Sequence, residues 1–269
     1  MQRRGESGRR VFRREIIALT TDFGTRDSYV GEMKGAILAR CCQATIVDVT
    51  HDIPRHDIGA GAFVLERALG AFCAGTVHVV VVDPGVGTKR KILLCEINGQ
   101  FVICPDNGLI TWAMVRLGGK AWELTWRPGK ASRTFHGRDI MAPVAALLAE
   151  GVHPSEVAKP AKEIVELETI TKIQEKGRAV SGRVIYVDVY GNCITNVGEE
   201  LLSGRGEVKV GKRKIGLGTG ENSRGAYGEV KRGEVLALVG SAGLLEIAVR
   251  EGSAARKLGI RVGDRVELR

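Results

Sequence analysis

A chain of 269 residues with 44% apolar and 26% charged content can bury a substantial core, which excludes a disordered polymer and a membrane bundle. No apolar run approaches the roughly 20 residues that a membrane helix requires, and the N-terminus lacks the apolar stretch of a secretory signal, so a cytoplasmic protein is expected. The net charge of +9 does not mark a nucleic-acid surface, because six arginines (Arg3, Arg4, Arg9, Arg10, Arg13 and Arg14) against Glu6 place +5 in residues 1–14 and leave only +4 for the other 255.

Residues 1–14 are read as a basic, disordered tail, and an α/β domain is expected over 15–155. Residues 15–22 form a buried strand ending in Thr20, Thr21 and Asp22. Val30, Met33 and Ile37 then recur at helical spacing. Residues 44–50 are a second β-branched strand, and 58–69 a helix for which Asp57 is the natural cap. The strand over 76–83 carries four consecutive valines, Val79 to Val82, as suits a parallel sheet covered on both faces. Residues 91–97 and 101–104 read as a hairpin across Asn98-Gly99. Ile140, Val144, Leu147 and Leu148 mark an amphipathic helix stopping at Gly151.

The pattern then changes. Residues 156–180 are polar and read as a linker. Short β runs follow at 184–189, 207–210, 214–217, 235–239, 245–249 and 265–268, separated by glycine-rich turns. A smaller, all-β, barrel-like domain is expected over 181–269.

Several motifs point elsewhere and fail on inspection. Residues 206–213 read GEVKVGKR, close to a phosphate-binding loop, but the residue after the lysine is arginine and the flanks alternate as strands. Gly85-Val86-Gly87 follows a strand but lacks the third glycine and the helix of a dinucleotide site. His51-Asp52 and His56-Asp57 have metal-ligand residue types without a complete ligand set, so no metal is expected. The six cysteines, Cys41, Cys42, Cys73, Cys95, Cys104 and Cys193, contain no C-x-x-C pair and read as reduced, buried thiols.

The chemistry-bearing residues collect at strand ends, where open α/β sheets place their ligands. Asp22 ends the first strand. Asp83 ends the valine strand and is followed seven residues later by Arg90. PDNGL (105–109) is a turn after another strand, and FHGRD (135–139) leads into the last helix of the domain. Each alone is a turn or cap; together they offer a carboxylate, a fixed cation and an imidazole.

The segments LTTDFGTRDSYVGEMKG (19–35), VDVTHDIP (47–54), VDPGVGTKR (82–90), PDNGL (105–109), TFHGRD (134–139) and DVYGNCITN (188–196) resemble the S-adenosylmethionine hydroxide adenosyltransferases, a family related to the adenosyl-fluoride and adenosyl-chloride synthases. The resemblance spans residues 15–269. It implies hydrolysis of S-adenosylmethionine to adenosine and methionine by water or hydroxide attacking ribose C5′, with no cofactor. It also implies a homotrimer with each active site between one subunit's N-terminal domain and a neighbour's C-terminal domain. Asp83, Arg90 and His136 match the family's catalytic set. Asp22 matches the ribose-binding aspartate, with Phe23 beside it. Asp188, Tyr190 and Asn192 match residues contacting the methionine amino group and the adenine side. Ser241 and Glu246 lie in GSAGLLE (240–246), which resembles the segment binding the methionine carboxylate and adenine, although Ala242 stands where halogenating relatives carry arginine. The fluoride-using relatives have an aromatic at the position of Asp83 and a halide-binding serine at that of Gly137. The alternatives are a halide-using transferase and a non-catalytic sensor of S-adenosylmethionine or adenosine.

Overall fold

The computed structural model describes residues 15–177, 179–217 and 226–268; the arginine-rich tail expected over 1–14 lies outside them. The N-terminal unit is built on a seven-stranded mixed sheet. Its strands are β1 (Ile16–Thr21), β2 (Thr45–Thr50), β3 (Val77–Val81), β4 (Ile92–Ile97), β5 (Gln100–Pro105), β6 (Lys120–Leu124) and β7 (Ala158–Pro160), in the order β2-β1-β3-β5-β4-β6-β7. The pairs β1/β2, β1/β3 and β3/β5 are parallel, and the remaining pairs are antiparallel.

The valine run explains the layering. Val77, Val79 and Val81 face a core shared with helix α1 (Tyr29–Leu38) and helix α4 (Ala142–Ala149). Val80 and Val82 face the opposite core, under α2 (Ile58–Ala71) and α3 (Thr111–Leu117). Every residue of β3 is buried, so a continuous apolar run rather than an alternating one is what this position requires. The β4–β5 hairpin turns on Asn98 (φ 51°) and Gly99 (φ 71°), the two positive-φ residues of a type I′ connection. Asp57 caps α2 by accepting a 2.9 Å hydrogen bond from the Ala60 amide. Leading into α4 is a single π-helical turn, Gly137–Met141.

The C-terminal unit is a sheet of β8 (Gln174–Lys176), β9 (Ala179–Val187), β10 (Cys193–Gly198), β11 (Glu207–Val210), β12 (Arg213–Gly216), β13 (Val235–Val239), β14 (Leu244–Val249) and β15 (Arg265–Leu268). Its pairings are antiparallel in the order β12-β11-β15-β9-β10-β14-β13, with β8 on β9. A bridge from Leu217 to Ala237 brings the two ends together and nearly closes a barrel. The phosphate-loop look-alike is the β11–β12 hairpin, turning at Gly211 (φ 59°).

The stretch between the units is structured where it is described. β7 completes the first sheet, and the Ile170 side chain enters a small core with Ala62, Phe63, Trp112, Ile185, Ile194 and Leu244. Phe63 of α2 stacks on Tyr186 of β9 at 4.7 Å, so the two units share an apolar contact. Among the described residues, no helix is long and apolar enough to cross a membrane.

Candidate active site

β1 and β3 are neighbouring parallel strands with Thr21 opposite Val81, so Asp22 and Asp83 leave the sheet at the same carboxyl edge. A cleft of about 360 Å³ opens there, lined by Asp22, Phe23, Tyr29, Asp83 and His136 among others. Phe23, Tyr29 and Phe135 form one wall, edge to face at 5.3–5.9 Å. Asp22 is held by the amide of His56, which donates to its Oδ2 at 2.9 Å. His56 adopts φ 65°, a left-handed conformation that a non-glycine residue rarely takes, at the point where it meets this carboxylate.

At the base of the cleft Asp83 and Arg90 form a fork. Arg90 Nε donates to Asp83 Oδ1 at 2.8 Å, and Nη2 donates to Oδ2. Both side chains are nearly buried. The same Nη2 lies 3.1 Å from His136 Nδ1. A guanidinium can only donate, so Nδ1 accepts and the neutral ring carries its proton on Nε2. Burial, followed by the Arg90 charge, lowers the His136 pKa from its ordinary 6.5. Asp83, its two oxygens taken by one cation, orients Arg90; Arg90 in turn orients the imidazole. Asn107 supports this edge from behind, its Nδ2 donating to the Val82 carbonyl at 2.9 Å. PDNGL therefore braces the end of the valine strand and does not line the cleft. A Cβ at Gly137 would meet Met33 and Val81 at 3.4–3.5 Å, ordinary van der Waals contact, so packing against β3 does not by itself require glycine there.

The remaining predicted residues lie on the other unit. A second cleft of about 590 Å³ is lined by Asp188, Tyr190, Asn192 and Tyr227, and it shares no lining residue with the first. Asp188 organises its own loop: Oδ1 accepts from the amides of Tyr190 (3.0 Å) and Asn192 (2.8 Å), and Oδ2 from Asn192 Nδ2 (3.0 Å). Gly191 at φ 84° leaves no room for a side chain against Ser253. Val189 and Tyr190 consequently stand out at the rim, 93% and 74% exposed. Glu246 is buried behind this cleft and accepts from the Tyr227 hydroxyl at 2.6 Å; burial and then the Asp188 charge raise its pKa. Ser241 is an exposed turn residue between β13 and β14 and lines neither cleft. Its neighbour Ala242 accepts a hydrogen bond from Arg116 of α3 through its carbonyl, at 3.3 Å.

Residue reasoning did not single out Tyr29 or Tyr227. Tyr29 falls inside a quoted motif, where its place opening α1 was a usable signal. Tyr227 has no local signature and is found only through its contact with Glu246. His51, considered as a metal-ligand type, is buried between Thr21 Oγ1 (2.9 Å from Nδ1) and Asp48 Oδ1 (3.0 Å from Nε2).

Comparison with known proteins follows the same division of the chain. The profile of the SAM hydroxide adenosyltransferase N-terminal domain matches residues 17–158, and that of the C-terminal domain matches residues 182–267. A Salinispora tropica protein named (R)-S-adenosyl-L-methionine hydrolase is 37% identical over 261 residues, covering 94% of this chain and 97% of its own. A fluorinase from an Actinoplanes species is 29% identical over 212 residues, covering 68% of this chain and 71% of its own. A crystal structure of a conserved protein from Thermotoga maritima superposes with a TM-score of 0.85 at 35% identity, covering 94% of this chain and 99% of that one.

Proposed function

Because the chain belongs to the SAM hydroxide adenosyltransferase family, we propose that it hydrolyses S-adenosyl-L-methionine to adenosine and L-methionine. The observation that carries this reading is the Asp83–Arg90–His136 chain at the base of a cleft headed by Asp22. The oxygen of water or hydroxide forms a bond to ribose C5′, and the C5′–S bond breaks with its electron pair going to sulfur. The sulfonium thereby becomes the neutral thioether of methionine, and the proton of the attacking water passes to solvent. The leaving group needs no protonation and the step needs no cofactor.

What the reaction lacks in bulk water is a nucleophile held in line with the C5′–S bond. Fixing that geometry is worth about 7–11 kcal/mol in favourable cases. Arg90 stabilises negative charge on the oxygen, and the Nε2–H tautomer of His136 donates a hydrogen bond that fixes its position. A bound cation is matched by the carboxylates of Asp22 and Asp27, both on the lining of the cleft. Asp22 is the diol acceptor for the ribose hydroxyls.

The second half of the site is Asp188, Tyr190 and Asn192, with Glu246 behind them and Ser241 on the adjoining turn. Since the two clefts are separate on one chain, we assign the complete site to the junction of two chains in a homotrimer. The exposed Val189 and Tyr190 at the rim of the second cleft support this arrangement. Cytoplasmic residence fits the free cysteines: Cys41, Cys95, Cys104 and Cys193 are buried as expected, whereas Cys42 and Cys73 are exposed, and burial pushes the thiols of Cys95 and Cys193 up to about 12.

The test is mass spectrometry of the reaction in heavy-oxygen water. Adenosine should carry the heavy oxygen on C5′. Arg90→Ala and His136→Ala should each reduce turnover on the order of a hundredfold while calorimetry shows ligand still bound. Intact ligand after long incubation with the wild-type chain would leave a sensor as the better account.

A further inference from the structure

A third cleft, of about 380 Å³, shares His136 and Arg90 with the reacting centre but none of its acidic residues. Lys89, Arg127 and Arg133 line it together with those two and Ser132, and no aspartate or glutamate contributes to the lining. Arg90 is already balanced by Asp83. Among the described residues, Lys89 and Arg133 form no ion pair, and Arg127 gives Nη1 only to the carbonyls of Leu124 (3.0 Å) and Trp126 (2.7 Å). The Asp139 carboxylate, bonded to the amide of the lining residue Ser132, is committed elsewhere. It accepts from Arg138 Nε at 2.6 Å, from Arg138 Nη2 at 3.1 Å and from the Ser132 amide at 2.7 Å.

Three uncompensated cations around one small concavity repel each other, and the arrangement is relieved by a mobile anion. We propose that this cleft binds a small inorganic oxyanion of the phosphate or sulfate class, seated directly against the back of the Arg90–His136 pair. Separated lysine and arginine donors match the several acceptor oxygens of such an ion better than a spherical halide. Binding would place negative charge next to His136 and oppose the approach of hydroxide. It should therefore lower kcat without raising KM for S-adenosylmethionine; this consequence rests on the hydrolase reading, whereas the binding does not.

Inorganic phosphate titrated into the full-length chain without S-adenosylmethionine tests the site. The expected result is saturable binding by calorimetry, with the His136 ring resonances shifting along the same curve. The double substitution Lys89→Ser and Arg133→Ser should weaken it by roughly tenfold or more, with an unchanged circular dichroism spectrum. Should the double variant fail to fold, each single substitution carries the same comparison. A His136 signal indifferent to phosphate, or an affinity unchanged by the substitutions, overturns the proposal. Phosphate binding by a chain that leaves S-adenosylmethionine intact would overturn the hydrolase reading and keep the anion site.

Discussion

His136 sits against a fixed cation with its Nδ1 committed as an acceptor, and burial adds to the penalty on charging it. Both effects lower its pKa, so the neutral ring persists to pH values below the ordinary 6.5. Turnover that depends on the neutral ring should accordingly hold through pH 6.5 and fall only at more acidic values. An NMR titration checks the cause: in Arg90→Gln the cation is gone, and the His136 midpoint should move upward. A midpoint unmoved by the substitution would make burial the sole origin of the shift. The residue types of this set could be named from the sequence, because a carboxylate, a cation and an imidazole stood at strand ends. Their order of contact could not. That Asp83 accepts from Arg90 through both oxygens is a hydrogen-bond fork that only the structure reveals.

At the scale of elements, local chemistry spoke clearly where one residue decides a boundary. Asp57 begins α2, Asn98-Gly99 turns the β4–β5 hairpin and the valine run is the doubly covered β3. Asp57→Ala removes the acceptor for the Ala60 amide and should cost about 1 kcal/mol, read as a lowered midpoint in urea unfolding with an unchanged slope. Elements without such signals escaped detection. β6 (KAWEL) and β7 (AKP) are short and partly exposed, and they gain their hydrogen bonds from β4 and from each other rather than from intrinsic preference. β10 begins inside DVYGNCITN, a stretch read for its polar residues, yet all six residues of the strand are buried. The segment over 156–180 reads as a polar linker by composition. Part of it is held by tertiary contacts: the Asp106 carboxylate accepts from the Val165 amide at 2.8 Å, and Thr111 Oγ1 from the Leu167 amide at 2.9 Å.

For the whole molecule the central fact is that the Asp22–Asp83 cleft and the Asp188 cleft of one chain do not merge. An interfacial site makes a sharp prediction. His136→Ala and Asp188→Ala chains should each be inactive alone, and mixing them under conditions of subunit exchange should restore about a quarter of wild-type activity, the share of sites pairing an intact N-terminal half with an intact C-terminal half. A mixture that stays inactive would place each complete site within one chain. The sequence by itself determined the α/β-then-β order, the hydrophobic layering, the main caps and turns, and the family, because these depend on local periodicity, on single turn residues and on ordered motifs. Only the tertiary structure decided that Asp22 and Asp83 share one sheet edge, that Asp188 and Asn192 belong to a separate cleft, and that unpaired cations gather behind His136. Those are relations between residues far apart in the chain, set by strand register and by which carboxylates neighbouring elements leave available, and no window of sequence contains both partners.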